Sequence, residues 1–238
     1  MARVGERGLN ENTVGLGIQF EIKRWFESRK AVGPDPKLVA LIPLMFRTLD
    51  ALYLESRNLP IVGVSGASKN TPKEKPEVFT FGLILGPSEY RTLRSILALA
   101  GDLALVLDKL KSLRQPPEVG QFIKPLHVRA EKFREARHFF SHLEEALRDY
   151  STHAAPVPHT LDCGVRFTEN ATNNIYLIWE NNTLYFSYDQ RHCQVDVDTP
   201  EFKELFNLAR QLYEKIIDNP ISQKFREFRD PTQVYPLQ

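Results

Sequence analysis

The chain has 238 residues, 42% of them hydrophobic, and sets 31 Lys plus Arg against 30 Asp plus Glu for a net charge of +1. That length and apolar content suffice for a substantial core and exclude disorder of the whole chain; the charge balance excludes a global field for nucleic acid or an anionic membrane, so any RNA binding must use a local patch. Two cysteines, Cys163 and Cys193, are too few for a disulfide framework and lack the pairwise spacing of a zinc site, so they read as reduced, half-buried residues.

The charged start, Met1 to Arg7, is followed by no apolar run of signal-peptide length. The most apolar stretch, 96–107, is interrupted by Gly101-Asp102 and is too short to cross a bilayer. A soluble, cytoplasmic protein that does not engage a membrane is the expectation. Ile18, Phe20, Ile22, Trp25 and Phe26 form a rough helical stripe over 17–30 that ends near Gly33-Pro34. A second helix is predicted over 36–57 from Leu38, Leu41, Ile42, Met45, Leu49 and Leu52, with a kink at Pro43.

Regular patterning fails over 58–87, where Gly63, Gly66, Pro72 and Pro76 surround the charged run Lys73-Glu74-Lys75, so a long loop or lid is expected there, with the apolar island 78–85 inside it. Ser88 begins a strong helix signal carried by Leu93, Ile96, Leu97, Ala100, Leu103, Leu107 and Leu110 and stopped at Gln115-Pro116-Pro117. One further helix is predicted over 119–150. In it Leu126, Phe133, Phe140 and Leu147 recur every seven residues, with Ala136, Leu143 and Tyr150 completing a narrow seam.

Ala154 to Pro158 cannot continue a helix and introduces β-forming residues. The runs 174–180 and 183–188 around Asn181-Asn182 predict a hairpin, and 193–197 a third strand of a meander. Asn170-Ala171-Thr172 and Asn181-Asn182-Thr183 fit the glycosylation acceptor pattern but read as turns in a cytoplasmic chain. Thr199 is predicted to cap a last helix with Phe202, Leu205, Phe206, Leu208, Leu212 and Ile216 on its apolar face; a polar, loosely held tail follows from 219 to 238. The fold class is therefore mainly α: a helical bundle over 1–152, and an appended small antiparallel β-meander with a C-terminal helix over 158–218, packing on the bundle as one domain.

Chemistry concentrates in Arg137-His138-Phe139-Phe140-Ser141-His142, which offers a fixed bidentate cation and proton carriers five residues apart in the 119–150 helix. Arg148 and His153 repeat the spacing, and composition alone produces roughly 0.5 such pairs, so the surroundings must decide. The segment from Phe133 to Glu145 resembles the signature of HEPN-domain proteins, Arg and then His after a spacer of four to six residues, with Arg137, His138 and His142 at its positions. Phe139-Phe140, the acidic residues after His142, and a hairpin followed by a terminal helix are similar to one bacterial branch of that family.

The resemblance implies one of two things. The first is a metal-independent endoribonuclease, commonly a toxin or phage-defence effector with an antitoxin or defence-system partner, acting as a homodimer on single-stranded RNA without a cofactor. The second is a non-catalytic helical interaction or RNA-binding module. In the first, His142 would act as general base or acid in 2′-hydroxyl transesterification, Arg137 would stabilise the phosphorane, and His138 and Ser141 would be supporting polar groups.

Lys132, Arg134 and Arg148 are the expected RNA-binding cations; the first two belong to a basic run with Lys124, His127, Arg129 and Arg137, which the interleaved Glu131 and Glu135 mark first as a solvated face. Tyr176, Trp179, Tyr185 and Tyr188 could stack on bases, although packing is the first expectation for strand aromatics. On a straight helix Arg137 and His142 lie about 140° apart, so a single face does not display both, and a two-fold dimer would be needed to assemble the site. The competing readings are solvated charges paired with Glu144 and Glu145, and a metal site begun by His138, His142 and Glu145.

Overall fold

The computed structural model describes residues 18–28, 35–58, 87–142, 155–156, 173–174, 177–180, 182–218 and 235. Among them are six helices and five short strands: α1 (Ile18–Ser28), α2 (Pro36–Ser56), α3 (Pro87–Ser112), α4 (Pro117–Glu131), α5 (Arg134–Ser141), β1 (Ala155–Pro156), β2 (Asn173–Asn174), β3 (Leu177–Glu180), β4 (Thr183–Tyr188), β5 (Arg191–Asp196) and α6 (Thr199–Ile217). The chain is mainly helical, with small antiparallel sheets and a C-terminal helix. It divides into two compact units with interleaved segments: Met1–Arg57, Leu99–Glu131 and Phe202–Gln238 form the first, Asn58–Ala98 and Lys132–Glu201 the second.

The first unit is helical. Ile18, Ile22, Trp25 and Phe26 of α1 are buried at helical spacing, the stripe that the sequence predicts. Asp35 starts α2: its carboxylate accepts the Lys37 N–H at 2.9 Å, and Pro36 follows at the position where its missing donor is harmless. The helix runs unbroken through the buried Pro43. α6 starts in the same manner, although not at the predicted cap. Asp198, not Thr199, supplies the acceptor, its Oδ1 taking the Glu201 N–H at 2.9 Å, while Thr199 is the first helical residue.

Aromatic rings then join α2 to α6: Tyr53 meets Phe206 edge-on at 5.3 Å, and Phe46 meets Tyr213 at 6.1 Å. Tyr235 departs from the expectation of a loosely held tail. It is buried, its ring 5.3 Å from both Tyr53 and Phe206, and its hydroxyl donates to Asp50 Oδ1 at 2.7 Å.

The second unit holds the start of α3, with Leu93, Ile96 and Leu97 buried, together with α5 and the strands. β3, β4 and β5 form an antiparallel meander; β1 and β2 pair separately in a two-stranded sheet that the sequence does not signal. Asp189 and Gln190, between β4 and β5, both have positive φ, 51° and 57°, the two-residue turn whose twist matches a hairpin. The resulting register pairs Leu184 with Val195, Phe186 with Cys193 and Tyr188 with Arg191. Partners directly opposite project to the same side of a sheet, so these six share a face.

The single helix predicted over 119–150 is broken. α4 ends at Glu131, a turn occupies Lys132 and Phe133, and α5 begins at Arg134. The seam residues Leu126, Phe133, Ala136 and Phe140 are buried as expected, but so is Phe139, which lies off the seam. Three aromatic rings within eight residues make a stripe wider than one straight seam can cover. In α5 the two adjacent rings find separate partners, Phe139 on Phe186 at 5.3 Å and Phe140 on Tyr90 at 5.7 Å. Outside the described residues lie 59–86 of the expected loop or lid, the stretch 143–153 with Leu143, Leu147, Arg148, Tyr150 and His153, the residues Cys163, Asn170 and Asn181, and the tail except Tyr235.

Candidate functional site

α5 is eight residues long and carries Arg137, His138 and Ser141; His142 follows at its C-terminal cap. The His142 N–H donates to the carbonyls of His138 and Phe139 at 3.1 and 3.3 Å, and its φ of −117° takes it out of the helix. Ala136, Phe139 and Phe140 form the buried face. Glu135, His138 and His142, three and four residues apart, run along another. His138 and Ser141 are exposed, and Arg137 and His142 are half-buried.

The meander meets α5 with the face that its register selects. Phe186 packs on Phe139; two residues on, the Tyr188 ring stands edge-on to His138 at 5.4 Å. Across from Tyr188, Arg191 Nη2 donates to Glu135 Oε1 at 3.0 Å, and the Cys193 thiol donates to Glu135 Oε2 at 3.7 Å. The His138 and His142 rings lie 4.5 Å apart. The structure thus gathers Glu135, His138, His142, Tyr188, Arg191 and Cys193 along α5 and its C-terminal cap.

Their ionisation follows from these contacts. Burial, then the Glu135 charge, pushes the Cys193 thiol up to about 11, so it stays protonated and non-nucleophilic at neutral pH. Burial and the Asp189 and Glu135 carboxylates raise the Tyr188 phenol above its ordinary value. The hydrogen bond to Glu135, with its charge, raises Arg191 further.

The expected RNA-binding residues fare unevenly. Lys132 pairs with Glu201 at 2.8 Å, Arg134 is exposed on α5, and Arg148 lies outside the described residues. In the first unit Arg129 pairs with Glu204, and His127 Nε2 faces Asp108 Oδ1 at 3.5 Å and Glu131 Oε2 at 3.7 Å. Much of the basic run is therefore matched to carboxylates. Tyr185 is buried in the meander and presents no ring for a base, as the packing expectation holds; Tyr176 lies outside the described residues. Among the described residues no three His, Cys, Asp or Glu side chains are grouped to hold a metal ion, and Glu145 lies beyond them.

Glu135, Arg191 and Cys193 are site residues that the sequence reading does not find, and Tyr188, which it offers for base stacking, stands against His138 instead. The signal was the Asp189-Gln190 turn, which places Tyr188 opposite Arg191. It lacks the glycine that usually marks such turns, and the third strand was expected to start only at Cys193. Among the described residues no helix is long and apolar enough to cross a membrane. The chain matches no protein-family model, no curated protein and no solved structure.

Proposed function

We propose that the chain is a HEPN-like, metal-independent endoribonuclease acting as a homodimer on single-stranded RNA. The observation that carries the proposal is the pair of imidazoles, His138 and His142, 4.5 Å apart at the end of the helix that also bears Arg137. One imidazole takes the proton of a ribose 2′-hydroxyl as that oxygen bonds to phosphorus. The imidazolium of the other protonates the 5′-oxygen as the P–O5′ bond breaks, which leaves a 2′,3′-cyclic phosphate. Arg137 stabilises charge on the phosphorane, supplied across a two-fold dimer to the partner's imidazoles, and Ser141 is a supporting polar group. A toxin or phage-defence role, with an antitoxin or defence-system partner, rests on the family resemblance alone.

The pairing of Lys132 with Glu201 favours the second reading, a non-catalytic interaction module, because it engages a cation expected on phosphate. Cleavage of labelled single-stranded RNA in excess EDTA separates the two. His142→Ala and Arg137→Ala should each lower the rate by about 100-fold or more, with helical content unchanged. Loss of cleavage on removing Arg148 and His153 instead would place the site elsewhere, and a folded protein that binds but never cuts varied RNAs would be the module.

A further inference from the structure

We propose that the β4–β5 hairpin supplies the second half of the α5 site, with Arg191 as a phosphate-binding cation and Tyr188 as the residue that positions the His138 imidazole. Its ligand would then be a phosphate or phosphodiester held between the guanidinium and the two imidazoles. The inference takes its substrate, an RNA phosphodiester, from the ribonuclease reading, but the arrangement of groups stands without it.

The register delivers both side chains to one side of the sheet. Tyr188 and Arg191 are directly opposed, on the face that also carries Phe186 and Cys193 and packs against α5. Along α5 the contacts then run in order: Glu135 takes Arg191, His138 takes the Tyr188 ring, and His142 lies against His138. The guanidinium, held at Glu135, and the two imidazoles therefore follow one another along the same face of α5. Arg191 and His138 are exposed and His142 is half-buried, so a ligand can reach them.

Glu135 offsets the charge of Arg191. A guanidinium, however, presents five N–H donors in a planar fork, and the acceptors beside this one are Glu135 at 3.0 Å and Asp189 at 3.8 Å. Glu135 aims the fork and leaves donors for a phosphate oxygen. Tyr188 meets His138 at an interplanar angle of 83°, the edge-to-face arrangement that restrains a ring's tilt. Its hydroxyl is not needed for that restraint, so the ring and the hydroxyl can be separated by substitution.

The test uses full-length protein with isotope-labelled histidine, titrated with inorganic phosphate and then uridine 3′-monophosphate under mildly acidic conditions while the imidazole C–H resonances are followed. Both His138 and His142 should shift saturably, and Arg191→Gln should weaken binding about tenfold, the loss of one charge-assisted hydrogen bond. Arg191→Lys, which keeps the charge without the fork, should fall between. In RNA cleavage, Arg191→Gln should raise KM more than it lowers kcat, whereas Tyr188→Ala should lower kcat about tenfold, the scale of loss expected of a displaced catalytic group. Tyr188→Phe should restore most of what Tyr188→Ala loses. Imidazole signals that ignore phosphate, or that respond equally in Arg191→Gln, overturn the proposal. Phosphate binding that depends on Arg191 in a protein that never cuts RNA keeps the cradle and ends the ribonuclease reading. Cleavage indifferent to Arg191 and Tyr188 does the reverse.

Discussion

Tyr235 offers the sharpest test of the first unit. Its hydroxyl donates to a buried carboxylate, Asp50, and its ring sits against Tyr53 and Phe206. Tyr235→Phe removes only the hydrogen bond, one to a charged acceptor, and should destabilise by about 1.5–3 kcal/mol. Tyr235→Ala also removes the buried ring, which by itself is a change of about 3–5 kcal/mol in a packed site. Urea unfolding followed by fluorescence is the assay, in a Trp179→Phe background so that buried Trp25 alone reports the unit.

The same residue predicts a pH dependence. Burial, then the charge and hydrogen bond of Asp50, raises the Tyr235 phenol well above its ordinary value. A raised folded-state value means that the folded chain holds the proton more tightly than the unfolded one. The resulting stability is fully present below the unfolded tyrosine value of about 10 and is lost as pH rises beyond it. Wild type should therefore lose stability above about pH 10 more steeply than Tyr235→Phe. A Tyr235→Ala variant within about 0.5 kcal/mol of wild type, or identical alkaline limbs, would refute the docking of Tyr235, since a surface substitution costs no more than that.

Other consequences are simpler. Asp35→Ala removes the acceptor for the Lys37 N–H and should cost about 1 kcal/mol in urea unfolding, with Asp35→Asn recovering most of it. Asn182 has φ 62°, where a β-branched side chain is strained, so Asn182→Val should destabilise the meander by about 1–2 kcal/mol, read as faster hydrogen exchange of its amides. In a Cys163→Ser background Cys193, with its thiol near 11, should label slowly with iodoacetamide, about one thiol in a thousand being ionised at pH 8, and Glu135→Gln should speed the reaction.

The helical elements were legible because burial follows periodicity. The stripe of Ile18, Ile22, Trp25 and Phe26, the heptad positions Leu126, Phe133 and Phe140, and the hairpin before a terminal helix all appear in the structure. The break at Lys132-Phe133 was not legible. No proline or glycine marks it, and the rings that pack on Phe139 and Phe140 beyond it, Phe186 and Tyr90, are far away in sequence. The same holds for the cap of α6, where Asp198 and Thr199 are adjacent and both able to accept, and only the backbone geometry selects Asp198.

What the sequence determined by itself was local: which residues are apolar at helical or strand spacing, and that Arg137, His138 and His142 stand together in the chain. The tertiary structure decided which groups surround them. A two-residue turn with positive φ at Asp189 and Gln190 sets a register, and that register brings Arg191 and Cys193 to the side of the sheet on which β4 presents Tyr188 to α5. A slip of β5 by one residue against β4 would turn Arg191 and Cys193 to the opposite face, because strand side chains alternate with period two.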